Sequence, residues 1–423
     1  MALVEMQDVT VHGGDAAPYG LSVELPTAAT ASDDTYSFPL AGRVEHARPL
    51  MALDLFHAGT RLSRILGGGS GSIGEPDVAQ FSWPVNALAM PSTFEAELRA
   101  ILQDRAQVPL ATFRGRREAL RSDFEPSLQP LSITSLGRSG STVLIRALEQ
   151  HPEIAACPAF EYETTISLYW LSVLRDLSEP ASYGHQLVND VATRKGSPEW
   201  WRASRRPIPP PLADSRVRQI AGRDAVRQLA ALCQAQIDLV YRQLAERFGR
   251  PEATYFAEKT MAGPVLSLQD ELYPGGREIV LIRDFRDQLC SAIDFYSRAE
   301  PLDVRRARDR VMDLAGHTRR AAMALFERYR RVEGRAHVLR YEDMVLAPTE
   351  TFGALLEYLS LAADPGVLAA MTDAVGRRDG TETHRTVTDA AASIGRWRRD
   401  LAPDVVEAAG EELRVPLESF GYS

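Results

Sequence analysis

Six consecutive residues combine the groups that bind an oxyanion: Gly137, Arg138, Ser139, Gly140, Ser141 and Thr142. Unpaired backbone amides at a helix N-terminus, together with the positive end of the helix dipole, attract phosphate or sulfate groups. Glycines let the backbone approach such a group closely, an arginine adds a charged fork, and hydroxyls add donors. The run therefore predicts a phosphate-binding loop. The alternative is a tight turn in which Thr142 only caps the following helix.

A loop of this kind needs a strand before it and a helix after it, and the sequence supplies both. Residues 131–136 form an apolar segment typical of a buried strand, and residues 142–151 place apolar side chains toward one side of a helix. A second apolar segment, residues 278–282, precedes a second helical pattern over residues 286–298. This alternation predicts an α/β domain with a parallel sheet flanked by helices on both faces.

The segment G-R-S-G-S-T-V-L, residues 137–144, resembles the 5′-phosphosulfate loop of bacterial sulfotransferases that use 3′-phosphoadenosine 5′-phosphosulfate (PAPS). The resemblance covers about residues 130–422 and implies a P-loop-like sulfotransferase fold. It also implies transfer of a sulfuryl group from PAPS to an acceptor hydroxyl, which leaves 3′-phosphoadenosine 5′-phosphate (PAP). In relatives the second loop position holds Lys or Arg. By this resemblance Arg138 contacts the phosphosulfate oxygens and steadies the leaving group.

A second resemblance follows the apolar segment at residues 278–282. The spacing R-D-x-R-D-x-x-x-S, from Arg283 to Ser291, is similar to the family's 3′-phosphate site, which implies that these two side chains bind the 3′-phosphate of PAPS. The alternative makes Asp284 the metal-binding acid of a P-loop ATP-dependent kinase. The loop pattern of nucleotide triphosphatases requires a lysine that does not follow Gly140, which counts against magnesium-dependent ATP chemistry.

The acceptor hydroxyl must lose a proton as the new S–O bond forms, so the site needs a general base. Glu163 resembles the catalytic glutamate of sulfotransferases that carry an acid shortly after the loop helix, and Glu161 is the alternative two positions earlier. Both acids could instead favour the N-terminus of the helix predicted over residues 164–177.

Lys259 lies in the tripeptide E-K-T, residues 258–260, which resembles a family motif whose lysine approaches the transferring group. By that resemblance Lys259 stabilises charge on the sulfuryl oxygens, as basic groups do in phosphoryl transfer. The alternative is a surface ion pair between Glu258 and Lys259. Residues 393–398, S-I-G-R-W-R, resemble a further family signature, which implies that Arg396 contacts the 3′-phosphate.

The N-terminal part of the chain shows a different pattern of apolar and polar residues. Residues 1–35 lack a clear period and predict a weakly ordered lead-in. Residues 36–121 predict a smaller β-sandwich-like module, because Phe94, Ala96 and Leu98 alternate with charged residues. The same stretch also fits helical spacing and contains many helix formers, so a helix is the alternative there.

The remaining boundaries follow from prolines and from the helical patterns. Residues 122–130, which contain two prolines, predict a linker to the sulfotransferase domain at residues 131–423. A mostly helical insert is predicted over about residues 164–248, with a Pro-rich interruption at residues 206–212. We expect this insert to shape the acceptor pocket.

The composition of the chain limits which classes of partner and cofactor are expected. The net charge of −9 opposes binding to nucleic acid or to an anionic membrane, because such binding requires many Lys and Arg side chains. Cys157, Cys233 and Cys290 lack metal-ligand spacing and predict reduced thiols, with no zinc site. Residues 1–15 lack the apolar core of a signal peptide, and no run is long enough to span a membrane. These features predict a cytoplasmic, metal-independent enzyme.

The identity of the acceptor is left open by the sequence. A small-molecule or glycan hydroxyl is expected, with sugars, lipid-linked glycans, phenols and secondary-metabolite alcohols as candidates. A further alternative is a glycan-binding protein whose sulfotransferase-like domain is inactive. The presence of Glu163 and Lys259 favours the enzyme over that alternative.

Overall fold

The computed structural model describes residues 2–12, 19–33, 35–46, 50–65, 78–102, 106–157, 164–178, 220–263, 265–299, 308–332, 334–376 and 390–422. The chain forms two compact units. The first comprises Met1–Glu125, Leu168–Gln236 and Pro264–Pro274, and the second comprises Pro126–Ser167, Ile237–Gly263 and Gly275–Ser423. The change of unit after Glu125 falls inside the segment predicted as a linker, whereas most of the predicted helical insert belongs to the first unit.

Among the described residues, the first unit contains nine strands in two antiparallel sheets. The strands are β1 (Val4–Val11), β2 (Tyr19–Leu25), β3 (Ala31–Ser32), β4 (Ser37–His46), β5 (Leu50–His57), β6 (Thr60–Ile65), β7 (Val78–Asn86), β8 (Thr93–Leu102) and β9 (Gln107–Arg117). One sheet has the order β3, β1, β9, β8, β5, β6, and the other has the order β2, β4, β7. Phe38 of β4 stacks on Phe94 of β8, with ring centroids 6.0 Å apart, so the two sheets pack face to face. The predicted β-sandwich-like module is confirmed.

The segment whose type was ambiguous in the sequence is the strand β8. Its side chains alternate between buried and more exposed positions from Thr93 to Ala100, and Phe94, Ala96 and Leu98 are buried. A strand with one face on a core requires this period of two, whereas a helix would bury side chains three or four positions apart.

Residues 1–35 differ from the weakly ordered lead-in that the sequence predicts. They contain β1, β2 and β3, and β1 pairs with β9 from Val4 opposite Arg117 to Val11 opposite Ala111. The register of β1 shifts between Met6 and Asp8. An irregularity of this kind interrupts the alternation of buried and exposed side chains, which explains why no period is visible in the sequence.

The second unit is built on a five-stranded parallel sheet with the order β11, β12, β10, β13, β14. Its strands are β10 (Gln129–Ser135), β11 (Ile154–Ala156), β12 (Tyr255–Thr260), β13 (Arg277–Ile282) and β14 (Ala336–Arg340). Strand β10 lies at the centre and pairs with β12 on one side and β13 on the other. Leu131 and Ile133 of β10 are fully buried, and Ser132 and Thr134 are also buried, so both faces of this central strand are covered. The predicted α/β fold with a helix-flanked parallel sheet is confirmed.

The described helices are α1 (Ser141–Leu148), α2 (Ile166–Ser178), α3 (Ala225–Arg247), α4 (Leu266–Leu272), α5 (Phe285–Ala299), α6 (Arg308–Arg331), α7 (Tyr341–Leu346), α8 (Pro348–Leu359), α9 (Pro365–Gly376), α10 (Trp397–Asp400), α11 (Pro403–Glu412) and α12 (Arg414–Ser419). Short helical turns also occur at Ala87–Ala89 between β7 and β8, at Ile220–Asp224 before α3 and at Ala391–Ser393 before α10. The predicted Pro-rich interruption at residues 206–212 lies outside the described residues.

The topology of the parallel sheet brings several chain segments to one edge. Strands β10, β12, β13 and β14 all end at the same edge because they run in the same direction. The residues that follow or end these strands are the phosphate-binding loop, Lys259, Arg283 and Tyr341. Ligands of open α/β sheets bind at the carboxyl ends of the strands, where the connections diverge to either side.

Candidate functional site

The phosphate-binding loop, residues 137–142, has the backbone geometry of a turn into a helix. Two of its residues adopt left-handed backbone angles, Arg138 with φ of 70° and Gly140 with φ of 95°. A Cβ atom at Gly140 would overlap the ring of Tyr341. Glycine is therefore required at position 140 both for its backbone angle and for space.

Two side-chain hydrogen bonds hold the loop in place. The Ser139 hydroxyl donates to the carbonyl of Leu136 at 2.9 Å, and the Gln288 amide donates to the carbonyl of Gly137 at 2.9 Å. Ser139 is buried and braces the loop from inside. The residues of the loop that line the adjacent cavity are Gly137, Arg138, Gly140, Ser141 and Thr142.

This cavity has a volume of about 740 Å³ and lies entirely within the second unit. Lys259, Arg283 and Ser291 line it together with the loop residues. Of the predicted donor-binding side chains, these three are thus brought together with the loop, although the loop lies more than a hundred positions before them in the chain. Apolar side chains line another part of the wall, among them Met261, Phe295 and Leu314.

Lys259 lies beside the phosphate-binding loop because β12 is the neighbour of β10. The register places Ile133 opposite Lys259, one residue before the end of β12. The Lys259 ammonium donates to the Thr142 hydroxyl at 2.8 Å. A positive charge therefore stands at the start of α1, where the helix amides also attract an anion.

Glu258 points to the other face of β12 and is only 1% exposed. It does not form the surface ion pair with Lys259 that the sequence allows as an alternative. Its carboxylate instead accepts hydrogen bonds from the start of α2 and from α3, at distances from 2.5 to 3.2 Å: the Thr164 hydroxyl, the Ile166 amide, the Ser167 amide and hydroxyl, and the Tyr241 hydroxyl. This carboxylate fixes the start of α2, directly after Glu163 in the chain, to the strand that carries Lys259.

Arg283 and Ser291 form the second anion-binding element, which we call the arginine site. Arg283 is 6% exposed and donates to two backbone carbonyls, that of Arg138 at 3.2 Å and that of Ser393 at 2.8 Å. Ser291 accepts a hydrogen bond from Nε of Arg138 at 3.1 Å. The phosphate-binding loop and the arginine site are therefore in direct contact.

Two residues near the arginine site have other partners. Asp284, the possible metal ligand, accepts hydrogen bonds from Nε and Nη2 of Arg286 at 2.9 and 2.7 Å. Arg396 is buried and pairs with Asp294 and Asp400. The side chain of Arg396 is directed to these carboxylates, outside the set of residues that line the cavity.

Asp287 on α5 binds the backbone on either side of Arg396. Its carboxylate accepts hydrogen bonds from the Gly395 amide at 2.7 Å and the Trp397 amide at 3.0 Å. Burial raises the pKa of Asp287, and these two hydrogen bonds partly oppose the rise. The sequence contains Asp287 inside the R-D-x-R-D pattern, but its partners lie more than a hundred positions away.

Glu163 and Glu161 lie outside the described residues. The described part of the chain contains no cluster of three or more His, Cys, Asp or Glu side chains arranged to hold a metal ion. Within the same residues, no helix combines the length and apolar character needed to cross a membrane.

Sequence comparisons identify proteins that are similar to this chain. Residues 130–365, more than half of the chain, match the family described as the sulfotransferase family. A stretch of 94 residues is 29% identical to carbohydrate sulfotransferase 1 of Danio rerio and covers 22% of this chain. The chain spans only 22% of the length of that curated relative.

Solved structures of low sequence identity are also similar. The sulfotransferase domain from the curacin biosynthetic pathway is 16% identical, with 71% of this chain and 99% of that chain covered and a TM-score of 0.40. A mouse sulfotransferase in complex with PAP is 10% identical, with 70% of this chain and 89% of that chain covered and a TM-score of 0.38.

Proposed function

Because the chain belongs to the sulfotransferase family, we propose that it transfers a sulfuryl group from PAPS to the hydroxyl of an acceptor. One observation carries the proposal: the phosphate-binding loop and the arginine site line one cavity and touch through Arg138 and Ser291. PAPS carries an anionic group at each of two positions on its ribose. A pair of linked anion sites suits that donor better than a ligand with a single phosphate chain.

Different residues would bind the two anionic groups of the donor. The amides at the start of α1, with Arg138, Ser141 and Thr142, would hold the 5′-phosphosulfate, since helix N-termini and guanidinium forks favour such oxyanions. Arg283 and Ser291 would hold the 3′-phosphate. Arg396 would act there through the turn that contains Ser393, because its own side chain pairs with Asp294 and Asp400.

The reaction would be a direct in-line transfer. The acceptor oxygen forms a bond to sulfur while the bond from sulfur to the bridging oxygen breaks, and that electron pair leaves with the 5′-phosphate of PAP. The acceptor proton passes to a glutamate, for which we propose Glu163 with Glu161 as the alternative. The products are a sulfate ester and PAP. Lys259 and Arg138 would stabilise the charge that spreads over the transferring oxygens.

Because Lys259 and Arg138 supply positive charge, we propose that no metal ion takes part in the transfer. A sulfuryl group carries less charge than a phosphoryl group, so two basic side chains and the helix amides can stabilise it. The competing kinase would need an acid free to bind magnesium. Asp284, the candidate acid, is engaged by two nitrogens of Arg286, which favours the sulfotransferase.

Thermal unfolding in the presence of nucleotides tests the donor. PAP without metal should raise the melting temperature, because a ligand that binds only the folded state stabilises it by RT ln(1 + [L]/Kd), where [L] is the concentration of free ligand. ATP with magnesium should have little effect. Stabilisation by ATP and magnesium alone would instead support the kinase.

Turnover of labelled PAPS tests the activity and the base. The assay would use a panel of alcohols, phenols and glycans, since a small-molecule or glycan acceptor is proposed. Glu163→Gln should reduce kcat by about 100-fold or more, the usual range for a general base, while PAP binding is retained. Glu161→Gln is the matched control two positions away. Loss of turnover in the Glu161 variant alone would move the base to Glu161, and a wild type that binds PAP without turnover on any acceptor would favour an inactive glycan-binding protein.

A further inference from the structure

Tyr341 contacts both anion-binding elements of the cavity. It is 5% exposed and lies directly after β14, at the edge of the sheet where the cavity forms. Its ring lies against Gly140 of the phosphate-binding loop, in the space that a Cβ at that position would need. The guanidinium of Arg283 lies over the same ring, 4.4 Å from its centroid.

The hydroxyl of Tyr341 makes a third contact, whose direction follows from the donors available. Ser393 Oγ donates its one proton to the carbonyl of Ala390 at 2.6 Å. The contact between Tyr341 and Ser393, with oxygens 3.1 Å apart, must then have the Tyr341 hydroxyl as donor. Ser393 is 2% exposed, so removal of that donor leaves a buried acceptor without its partner.

Ser393 connects this hydroxyl to the arginine site. Its carbonyl accepts a hydrogen bond from Nη2 of Arg283 at 2.8 Å. Tyr341 thus holds Arg283 in two ways. Its ring contacts the face of the guanidinium directly, and its hydroxyl acts on the guanidinium through Ser393. Two of the five N–H groups of Arg283 bond to backbone carbonyls, which orients the guanidinium and leaves up to three N–H groups for an anion.

We propose that Tyr341 is a specificity-determining residue, which positions Arg283 through its hydroxyl contact with Ser393 and so sets the preference for a nucleotide that carries a 3′-phosphate. The inference deepens the proposed function and rests on it. The ring of Tyr341 supports Gly140 and Arg283 together, whereas its hydroxyl bonds to Ser393, whose carbonyl holds Arg283. The two parts of this side chain therefore have separable effects on the two ends of the nucleotide.

Two nucleotides separate these effects: PAP, which has both phosphates, and adenosine 5′-monophosphate (AMP), which lacks the 3′-phosphate. Calorimetry would give the Kd of each for the wild type and for Tyr341→Phe. The variant should bind PAP about three- to tenfold more weakly, the range for one hydrogen bond, and AMP with unchanged affinity. Tyr341→Leu, which also removes the ring, should weaken both nucleotides, with PAP affected by about tenfold or more.

A second variant removes the same contact from its other side. Ser393→Ala should reproduce the selective loss of PAP affinity. Tyr358→Phe is the matched control, because the Tyr358 hydroxyl also bonds to backbone, donating to the carbonyl of Arg335 at 2.8 Å, at a place that does not line the cavity. Its ratio of PAP to AMP affinity should equal that of the wild type.

The outcomes distinguish the inference from the function on which it rests. A wild type that binds PAP no more tightly than AMP would overturn both the proposed donor and the role of Tyr341. A wild type that prefers PAP, with the same preference in Tyr341→Phe and Ser393→Ala, would overturn the role of Tyr341 and leave the donor in place. A general loss of stability changes both affinities alike and leaves their ratio unaltered.

Discussion

The phosphate-binding loop and the arginine site line one cavity but are constructed differently. The loop is local: a strand, six residues and a helix follow one another, and two positive φ angles shape the turn. The arginine site depends on distant parts of the chain, since the carbonyls that orient Arg283 lie 145 and 110 positions away. The first element relies on backbone conformation and the second on packing. We therefore expect them to respond to different kinds of substitution.

The largest effect is expected from Gly140→Ala in the loop. Alanine at a φ of 95° is strained, and its Cβ would displace the Tyr341 ring. Together these costs should reduce kcat/KM for PAPS by about 100-fold or more. The control is Gly137→Ala, because a Cβ there meets no heavy atom of the described residues within 4 Å. Equal losses in both variants would contradict the assignment of strain to position 140.

A smaller effect, of about 10- to 100-fold in PAP affinity, is expected from Arg283→Lys. An ammonium cannot bond two carbonyls, stack on Tyr341 and bind a phosphate at once, so the conservative exchange fails at a packed site. AMP affinity should change little. Arg138→Lys in the loop is the matched variant, and we expect a loss below about fivefold, because one ammonium can still pair with an anion there. A larger loss from Arg138→Lys than from Arg283→Lys in PAP titrations would reverse the comparison.

This difference in construction also explains what the sequence could predict. The strand, loop and helix around residues 137–142 are adjacent in the chain, so their pattern is visible directly. The family resemblance indicates Arg283, Ser291 and Lys259, and these three side chains line the cavity. The parallel sheet follows from alternating apolar and amphipathic segments. Each of these features depends on residues that are close together in the sequence or on a motif of the family.

Residues defined by long-range contacts were harder to predict. Glu258 was recognised within its motif, but its burial and its bonds to the start of α2 depend on segments 91 to 94 positions away. The role of Tyr341 cannot be seen in the sequence, because its contacts with Gly140 and Arg283 require the folded sheet edge. Arg396 was predicted as a phosphate contact from local sequence, whereas the carboxylate of Asp294 that pairs with it is 102 positions away.

The smallest effect is expected at Cys290, beside Ser291 in the packed arginine site. Burial raises the pKa of Cys290 to about 12, and burial likewise raises the pKa of Cys233 to about 11. The unfolded chain releases these thiol protons above about pH 9, while the folded protein retains them. Since the folded state then binds more protons, the free energy of unfolding falls as pH rises from about 9 toward these values, by about 1.4 kcal/mol per pH unit for each thiol.

Cys290→Ala should remove the share of this slope that belongs to Cys290. Denaturant unfolding between pH 8 and pH 10.5, extrapolated to water, would show a shallower decline in the variant above about pH 9 and parallel curves below it. Cys233→Ala, on α3 in the first unit, is the control and should flatten the curve to the same extent over this range, because both pKa values lie above pH 10.5. Rapid alkylation of Cys290 in the native protein at pH 8 would show that solvent reaches the arginine site, and the contrast between a packed site and a backbone loop would fail.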